Sequence, residues 1–502
     1  MSARRGKVWL VGAGPGDPGL LTLKGARAIQ HCDTLVYDYL ASQAIVDLAP
    51  PGCERIYVGK KAGAHTLTQT EITALIVKLA LDGKRVVRLK GGDVFVFARG
   101  GEEAQALHAA GVPFEIVPGI SSALAAPAYA GIPVTHRDHN TSFSVSTGHE
   151  NPLKGYTSLD YAKLANPKST TIFLMAMGNL TGIVAELRKN GLPDTTPVAI
   201  VREGTKPTQE TLVATLGTIV AEVERTQFAA PAIVVIGDVV RERESIRWFD
   251  RAPLFGKRVL ITRPAAQAGA FAQQLWEAGA EPLLAPTIAI GPPDDPSAAT
   301  AAVARIREYA WVVFTSRNGV DAFFDALGAS GKDARALGDV KVAAIGPATA
   351  AALSAHGIRA DFIPQAYVNE AVAEGLLERT VAGERVLLFR AQEARDVLPA
   401  TLRVARREVD VVAAYRTRYV DDSKLRAKAE QADVVTFTSS STVHGFVHNV
   451  ADAAAVLAHA TVAAIGPITA ASARAAGIRI DIVAEEFTVD GLLEALEAGV
   501  TA

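Results

Sequence analysis

The chain has 502 residues, of which 49% are hydrophobic and 21% are charged, and its formal net charge at pH 7 is -2. This composition is typical of a globular protein with about three or four domains. The near-neutral charge gives no electrostatic footprint for nucleic acid or for an anionic membrane, so it argues against both classes of partner. Local arginine and lysine side chains must therefore bind any anionic substrate.

The two cysteines, Cys32 and Cys53, do not form a C-x-x-C pair, and no histidines cluster with them. We therefore expect two reduced thiols, with neither a disulfide framework nor a metal site. The N-terminal apolar stretch ends at Gly12, too early for the hydrophobic region of a signal peptide, and no run of about 18 apolar residues follows. These features predict a cytoplasmic protein.

Short apolar runs alternate with segments of helical periodicity between residues 7 and 120. The segment TEITALIVKLA, for example, keeps the i, i+3, i+4, i+7 spacing of an amphipathic helix. This alternation predicts an α/β lobe with a mainly parallel, twisted sheet and helices on its faces.

Turns with polar or glycine residues follow the apolar runs of this lobe. They are GAGPGD at 12–17, Asp38, Gly59-Lys60-Lys61, Gly91-Gly92-Asp93 and Pro118-Gly119-Ile120-Ser121-Ser122. Because ligands of open α/β sheets bind outside the carboxyl ends of the strands, these turns are predicted to share one rim.

The GAGPGD turn raises the question of a dinucleotide site. The fingerprint G-x-G-x-x-G needs a third glycine where the helix packs on the strand, but this chain has Asp17 there and Pro15 inside the turn. A purely structural turn is an equal alternative at this point. The defective fingerprint argues against a nicotinamide-dependent dehydrogenase.

Beyond Thr141 the runs SFSVSTGH, TTIFLMAMG, PVAIVREG, TLVATLG and PAIVVIGDVV predict a second α/β lobe, with one clear helix near 181–190. The cleft between the lobes is then the expected ligand site. The first domain is predicted at 1–245, with lobes at about 1–140 and 141–245, and a charged linker with one proline at 246–256.

The remaining half, 257–502, contains an internal repeat. AAIGPATAAAL at 343–353 returns as AAIGPITAASA at 463–473, and GIRADFI at 357–363 returns as GIRIDIV at 477–483, both 120 residues later. VVFTSRNGVDAFF resembles VVTFTSSSTVHGF, and GKRVLITRP matches GERVLLFRA more loosely. The repeats, at about 256–382 and 383–502, each alternate strand and helix and predict two similar α/β lobes facing one another.

The first half closely resembles the tetrapyrrole methylases, and most specifically the uroporphyrinogen-III C-methyltransferases. The resemblance rests on VGAGPGDPGLLTLKGARAI, VGKKAG, RLKGGDVFVFARGGEE, PGISSALAAPAYAGIPVTHR and STGH, and continues to about residue 242. It implies the two-lobed tetrapyrrole methylase fold and methylation of uroporphyrinogen III at C2 and C7, through precorrin-1, to precorrin-2. The methyl donor would be S-adenosylmethionine, and the reaction requires no metal.

The resemblance also implies a cofactor site. Its residues would be Pro15, Gly91, Gly92, Asp93, Val96, Ser121, Ser122, Met177, Gly204 and Ala230. S-adenosylmethionine has no pyrophosphate, so the phosphate cradle of a dinucleotide site is not needed. A compact turn that Pro15 stiffens is enough.

Asp38 and Lys60 match the proton acceptor and proton donor that are proposed for the family. Spacing alone favours a turn-capping aspartate and a solvated lysine, whereas the resemblance favours catalysis. Uroporphyrinogen carries carboxylates, for which the candidate ligands are Arg88, Lys90, Arg99, Arg137 and Arg202, although any of them could be a surface charge. Val94 and Ala98 depart from the family's usual proline and glycine, which leaves the fine shape of that turn open.

The second half resembles uroporphyrinogen-III synthase, a duplicated, two-lobed, flavodoxin-like α/β fold, through TRPAAQA, FTSRNGV, AIGPATA and FTSSSTV. The resemblance implies cofactor-free closure of linear hydroxymethylbilane to uroporphyrinogen III, with Tyr415 as the proton donor to the leaving hydroxyl. Candidate substrate-binding residues are Ser316, Asn318, Thr349, Tyr367, Ser439, Ser440 and Thr469. Helix capping is an equal alternative for the hydroxyl residues, as core packing is for Tyr367.

The sequence therefore predicts a bifunctional enzyme of tetrapyrrole synthesis, on the branch towards sirohaem and cobalamin, whose C-terminal half makes the substrate of the N-terminal half. One alternative is a methyltransferase with a non-catalytic tetrapyrrole-binding C-terminal half. Another is a methylase acting at a different ring position. The family's methyltransferases are commonly homodimers, so a homodimer through the first half is expected.

Overall fold

A computed structural model of the protein describes residues 6–59, 67–149 and 157–500. The chain divides into two units, Met1–Lys257 with Ala278–Glu281, and Arg258–Glu277 with Pro282–Ala502. They are called unit 1 and unit 2 below. Within the described ranges, no helix has the length and apolar character needed to cross a membrane.

The first lobe of unit 1 contains one parallel sheet. Its strands are β1 (Lys7–Gly12), β2 (Thr34–Tyr37), β3 (Glu54–Tyr57), β4 (Arg85–Lys90) and β5 (Phe114–Val117), in the order β3-β2-β4-β1-β5. Its helices are α1 (Leu23–Gln30), α2 (Gln43–Val46), α3 (Gln69–Leu81), α4 (Gly100–Ala109) and α5 (Ser122–Tyr129). The predicted parallel α/β lobe is thus confirmed.

Helix α3 illustrates why these segments fold as they do. A capping box starts it, in which the Thr68 hydroxyl accepts from the Glu71 N–H and the Glu71 carboxylate accepts from the Thr68 N–H. Ile72 and Ile76 are then buried against the sheet, as their spacing predicts. The central strands β1, β2 and β4 are largely buried, as expected for a parallel sheet covered by helices, whereas the edge strand β3 is largely exposed.

The second lobe of unit 1 contains a mixed sheet. Its strands are β6 (Phe143–Thr147), β7 (Thr170–Leu174), β8 (Pro197–Arg202), β9 (Glu210–Thr215) and β10 (Ala232–Ile236), in the order β6-β7-β10-β8-β9. Only β6 and β7 are parallel neighbours. The helices are α6 (Tyr161–Leu164), α7 (Leu180–Lys189), α8 (Ile219–Thr226) and α9 (Arg243–Ile246), so the helix expected near 181–190 is confirmed and α8 is an additional one.

The segment predicted as a linker, 246–256, packs against unit 1. Phe249 and Leu254 are buried, and the Trp248 indole N–H donates to the Ala128 carbonyl oxygen at 3.1 Å. Its ring and that of Phe249 contact Tyr129. Burial of these aromatic side chains explains why a charged, proline-containing stretch is ordered here.

Over its described residues, unit 2 contains ten strands in two sheets. The strands are β11 (Arg258–Ile261), β12 (Glu281–Leu284), β13 (Ile288–Gly291), β14 (Trp311–Phe314), β15 (Lys341–Ala344), β16 (Arg385–Ala391), β17 (Glu408–Tyr419), β18 (Val434–Phe437), β19 (Thr461–Ala464) and β20 (Ile482–Val483). The helices are α10 (Ala265–Glu277), α11 (Ser297–Ala304), α12 (Arg317–Ala329), α13 (Pro347–Ala355), α14 (Asn369–Arg379), α15 (Val397–Val404), α16 (Leu425–Gln431), α17 (Ser440–Asn449), α18 (Ala453–Val456), α19 (Pro467–Ala475) and α20 (Val489–Gly499).

The two lobes of unit 2 have related but not identical strand orders. One sheet is β12-β11-β18-β19-β20, and the other is β17-β16-β14-β15 with β13 added antiparallel to β17. The first sheet has the 2-1-3-4-5 order of flavodoxin-like folds. The second sheet has the order 2-1-3-4 if β16, β17, β14 and β15 are numbered 1 to 4, so the strands that correspond to the first two come last in the chain. The predicted flavodoxin-like lobes are thus confirmed.

Each lobe of unit 2 combines strands of both sequence repeats. The first repeat supplies β11 and β12 to one sheet and β14 and β15 to the other, whereas the second repeat supplies β18 to β20 and then β16 and β17. Two similar lobes therefore form, but a repeat is not a lobe. The chain crosses from one lobe to the other within each repeat, so periodicity alone could not have shown this exchange.

Candidate active sites of the two units

A cavity of about 270 Å³ lies in unit 1 where the turns of the first lobe meet the second lobe. The turns after β1, β2, β4 and β5 form one side, and residues near the ends of β7, β8 and β10 form the other. The predicted rim of the parallel sheet is therefore one wall of a cleft between lobes. This is the placement that open α/β sheets favour for a ligand.

The glycine turns at this rim contact each other through their backbones. The Gly14 N–H donates to the Gly92 carbonyl oxygen at 3.1 Å, and the Gly92 N–H donates back at 2.7 Å. A Cβ atom at Gly119 would lie 2.3 Å from the Gly92 oxygen and 2.7 Å from Gly12 Cα. No side chain fits at this crossing, which explains why three separate turns place glycine there.

The Asp93 carboxylate connects two of these turns. Its Oδ1 accepts from the Phe95 N–H at 2.8 Å, and its Oδ2 accepts from the Gly119 N–H at 3.0 Å. The aspartate of the GGD turn thus sets the distance between that turn and the start of α5. Its role seen in the structure is to shape the cavity wall.

The contacts of Asp17 bear on whether the GAGPGD turn could bind a dinucleotide. Its Oδ1 accepts from the Gly19 N–H at 2.7 Å and caps the short helical turn Pro18–Leu20. Its Oδ2 accepts from the Tyr129 hydroxyl at 2.6 Å, and its N–H donates to the Thr205 hydroxyl of the second lobe at 3.1 Å. The carboxylate therefore takes up the Gly19 N–H and places a negative charge at this turn, which disfavours a pyrophosphate there.

Most of the predicted cofactor residues line this one cavity. They are Pro15, Gly91, Gly92, Asp93, Val96, Ser121, Ser122 and Gly204. Met177 and Ala230 do not line it, and their chain neighbours Met175, Pro231 and Ala232 do. Met175 follows β7 with a φ of 55°, and Met177 instead packs on the core of the second lobe.

Backbone strain is concentrated around the cavity. Among the described non-glycine residues, Phe97, Met175 and Glu203 have positive φ values and also line the cavity. Such conformations cost of order 1–3 kcal/mol each and persist where the surrounding structure enforces them, often at ligand sites. Phe97 and Glu203, like Leu40 and Lys206, are cavity residues that the sequence analysis did not identify.

Buried charges surround the predicted catalytic aspartate. Asp38 lines the cavity, and its Oδ2 accepts from Arg88 Nη2 at 3.0 Å. The Arg88 Nε also donates to Glu103 Oε1 at 3.3 Å, as does Lys90 Nζ at 3.1 Å, and the Glu103 side chain has no exposed surface. Arg88 is thus committed to internal carboxylates and holds Asp38 at the cavity wall.

Lys90 lines the cavity from beneath the GGD turn. Burial and the neighbouring Arg88 guanidinium lower the pKa of the Lys90 ammonium, although Glu103 opposes the shift. Desolvation disfavours the charged amine, and a second cation adds to that effect. Lys90 therefore holds its proton less firmly than an ordinary lysine does.

The other predicted charged residues of unit 1 do not line the cavity. Arg99 pairs with Glu102 at 2.6 Å, Arg202 pairs with Glu210 at 3.1 Å, and Arg137 is exposed. Lys60 lies outside the described residues. Among those described, the one group of potential metal ligands is His136, His139 and Glu242, of which His139 and Glu242 already share a 2.7 Å hydrogen bond.

In unit 2 several predicted hydroxyl residues cap or stabilise helices. Ser316 accepts from the Gly319 N–H at the start of α12, and Ser439 accepts from the Thr442 N–H at the start of α17. Ser440 accepts from the Ser472 hydroxyl at 2.7 Å. Thr349 and Thr469 are buried in the first turns of α13 and α19. Helix capping, the alternative to substrate binding, is therefore the role that the structure shows for Ser316 and Ser439.

Tyr415 and Asn318 line the same pocket, of about 500 Å³, between α11, α12 and β17. Asp321 and Asp325 also line it. The backbone at Tyr415 sits at a register shift between β16 and β17, a type of irregularity that often re-aims a side chain near a functional site. The structure thus brings two predicted residues together there and leaves the others elsewhere.

Tyr367 and Phe487 occupy equivalent places in the two lobes. The Tyr367 ring packs over Gly346 and the Phe487 ring packs over Gly466, at the turns that precede α13 and α19. Their side chains are 44% and 49% exposed, so neither is a core residue. The sequence analysis missed Phe487, although the 120-residue offset of the repeat leads from Tyr367 directly to it.

Two families match the chain in succession. Residues 7–220 match the "Tetrapyrrole (Corrin/Porphyrin) Methylases", and residues 269–494 match "Uroporphyrinogen-III synthase HemD". A "Porphyrin biosynthesis protein HemD" of Ruminiclostridium josui is 39% identical over 495 residues, which cover 98% of this chain and 97% of that protein.

Other relatives match the first half alone. An "S-adenosyl-L-methionine-dependent uroporphyrinogen III methyltransferase" of Methanosarcina barkeri is 51% identical over 48% of this chain and 94% of that protein. A crystal structure of uroporphyrin-III C-methyl transferase from Thermus thermophilus with S-adenyl homocysteine is 38% identical over 47% of this chain and 99% of that chain, with a TM-score of 0.41. On its full-length similarity, this chain belongs to the porphyrin-biosynthesis proteins that fuse a tetrapyrrole methylase to a uroporphyrinogen-III synthase.

Proposed function

We propose that unit 1 methylates uroporphyrinogen III at C2 and C7 with S-adenosylmethionine, and that unit 2 makes uroporphyrinogen III from hydroxymethylbilane. The observation that carries the first half is the convergence of the GAG, GGD and PGI turns on one cavity that Asp38 also lines. The two family matches of this chain, together with a relative that is similar over nearly its full length, support the pairing of the two activities.

The cavity suits a cationic, non-phosphate ligand. Asp17 places a negative charge at the turn after β1, and Asp38 and Glu203 line the cavity. The Arg88 guanidinium is already paired with Asp38 and Glu103 and is therefore not free to bind a phosphate. S-adenosylmethionine, when bound, would supply an electrophilic methyl group. Pro15, the GGD turn and Ser121 would hold it.

Asp38 is the group in this cavity that is best placed to accept a proton. Arg88 fixes its Oδ2, and the Leu40 N–H donates to its Oδ1 at 3.2 Å, so the carboxylate is held in one orientation. A methylated pyrrole must lose a proton, and a fixed carboxylate contributes about 10²- to 10⁴-fold to such a transfer. The enclosing lobes orient the ring carbon, which supplies further acceleration through proximity.

In unit 2, ring closure begins with loss of water from the hydroxymethyl group. The Tyr415 hydroxyl is the proposed proton donor to that leaving group, and the exposed rings of Tyr367 and Phe487 offer apolar faces to pyrroles. Folding the linear substrate between two similar lobes is the larger part of this task. No cofactor is needed for it.

Two separate assays test the proposal. With uroporphyrinogen III and methyl-labelled S-adenosylmethionine, two labelled methyl groups per product are expected, at C2 and C7 by NMR. With hydroxymethylbilane alone, the type III isomer is expected. Label at another ring position would favour a different methylase, and formation of the type I isomer alone would favour a non-catalytic C-terminal half.

The family resemblance also implies a homodimer through unit 1, which is retained as a proposal. Leu23, Leu124 and Phe143 are large apolar side chains that are 77%, 44% and 40% exposed in unit 1. Contact with a second copy would remove such surface from water. Light scattering should give twice the chain mass of 52.7 kDa, and a monomer at micromolar concentration would contradict the dimer.

A further inference from the structure

Arg263 of unit 2 has no hydrogen-bond or ion-pair partner in the part of the chain that the structure describes. It follows β11 and is half-buried. An arginine taken partly out of water without a carboxylate is costly unless a ligand compensates. This residue was not among those identified from the sequence.

A second cation acts on Arg263. Burial and the Arg317 guanidinium lower the pKa of Arg263. Arg317 opens α12 in the other lobe of unit 2, is 69% exposed, and approaches Asp321 no closer than 3.7 Å. The Gln267 amide donates to the Asn318 side-chain oxygen at 2.9 Å, which holds the start of α10 beside the start of α12.

The internal repeat supplies a matched comparison for Arg263. Arg390 occupies the equivalent position of the second repeat, at the end of β16. Its guanidinium donates to the Arg395 carbonyl oxygen at 2.8 Å and to Asp396 Oδ1 at 3.2 Å. The same arginine is therefore neutralised within the protein in one lobe and left unneutralised in the other. Fold symmetry alone does not explain the difference.

Arg263 also lies where this type of sheet binds ligands. In the order β12-β11-β18-β19-β20, the chain proceeds to β12 on one side of β11 and to β18 on the other. The carboxyl end of β11 is therefore the topological switch point of the sheet, the crevice in which open α/β folds hold their ligands.

We propose that Arg263 and Arg317 form a carboxylate-binding site of unit 2, which takes one acetate or propionate group of the tetrapyrrole substrate. The assignment rests on the function proposed above for unit 2. Arg263 contributes the fixed, partly desolvated guanidinium, which can bind a carboxylate through two parallel hydrogen bonds. Arg317 contributes a second positive charge from the other lobe, so a bound carboxylate draws the two lobes together.

Kinetics of R263Q and R263K test the site, with R474Q as the control for loss of an exposed arginine charge. R263Q should raise the KM for hydroxymethylbilane about tenfold or more, because charge-assisted hydrogen bonds contribute about 1.5–3 kcal/mol. R263K should recover part of that loss, since it keeps the charge without the planar fork. R474Q should match wild type. A KM for R263Q within twofold of wild type would overturn the site.

Two further measurements separate this inference from folding and from the proposed function. Because Arg263 has no internal partner, R263Q should keep or raise the Tm, whereas loss of a structural arginine would lower it. Calorimetric titration with uroporphyrin III compares R263Q with wild type, and unit 1 is identical in both, so a difference reports unit 2. If the wild-type protein does not cyclise hydroxymethylbilane but R263Q still binds uroporphyrin III more weakly than wild type, the synthase function is refuted and the carboxylate site is kept. Equal binding would refute the site.

Discussion

The candidate sites of unit 1 and unit 2 differ in how their buried or half-buried cations are neutralised. At the cavity of unit 1, Arg88 and Lys90 share the carboxylate of Glu103, and Arg88 also pairs with Asp38. In unit 2, Arg263 has no anionic partner within the described part of the chain. A cavity whose cations are already neutralised suits a cationic ligand, whereas an unneutralised arginine suits a carboxylate. The contrast agrees with a sulfonium donor in one unit and a polycarboxylate substrate in the other.

The largest effect is expected for G119A, which should disrupt the cavity of unit 1. The added carbon would lie 2.3 Å from the Gly92 carbonyl oxygen, so the GGD and PGI turns must separate and the cavity loses its wall. Methylation should fall below detection in a radiolabel assay while cyclisation by unit 2 continues. G101A is the control, because nothing lies within 4 Å of a Cβ there. Wild-type methylation by G119A would contradict this view of the turns.

D38N should lower kcat for methylation by about 10²- to 10⁴-fold, the usual contribution of a positioned base. The amide keeps the shape of the carboxylate but accepts no proton. S-adenosylmethionine affinity, measured by calorimetry, should fall far less than kcat, because Glu203 and the GGD turn remain in the cavity wall. The exposed D47N in the same lobe is the control. A D38N variant with full kcat would remove Asp38 from the chemistry.

Y415F should lower kcat for cyclisation by about a hundredfold, because the variant has no hydroxyl to protonate the leaving group. The fraction of type I product should rise, since unassisted closure competes. Chromatographic isomer analysis measures both effects. Y419F, which alters an exposed tyrosine on the same strand, should behave as wild type. An unchanged kcat in Y415F would assign the proton transfer to another group.

E103Q should destabilise the protein without touching substrate directly. Removing this carboxylate leaves Arg88 and Lys90 buried beside each other, and breaking a buried pair costs about 3–5 kcal/mol. E102Q removes the neighbouring exposed partner of Arg99 and should cost about 1 kcal/mol or less. Urea unfolding measures both variants. Equal free energies of unfolding for E103Q and E102Q would show that the buried Glu103 network stabilises the fold no more than the exposed pair does.

The smallest expected effect is a pH dependence from Lys90. Its pKa is below the ordinary 10.5, so between the two values the unfolded chain binds a proton that the folded chain does not. Stability should therefore rise with pH across that window. K90M should lose this slope in urea titrations at stepped pH. If the free energy of unfolding rises with pH equally in K90M and wild type, other groups cause that dependence.

Much of unit 1 could be predicted from the sequence, because each feature there is local. A strand followed by a glycine turn can be recognised within a stretch of about ten residues. Eight of the ten residues predicted to bind the cofactor line the cavity. Met177 and Ala230 missed it by one or two positions, because the left-handed turn at Met175 and the path of the chain around Pro231 decide which side chain faces inward. Such choices depend on backbone angles that the sequence does not display.

Less of unit 2 could be predicted, because its lobes combine strands from distant parts of the chain. The repeat was visible, but the exchange of strands between lobes depends on which edges pair. Arg263 was missed for a related reason. An arginine is conspicuous only when its partners are known, and the sequence cannot show that Arg390 has Asp396 whereas Arg263 has none.

The central claim is that one chain carries two consecutive activities. The most direct test is mass spectrometry after incubation of the full chain with hydroxymethylbilane and S-adenosylmethionine under anaerobic conditions. A cyclised product of the type III series that has gained two methyl groups is the expected result. An unmethylated type I product would contradict both halves of the account.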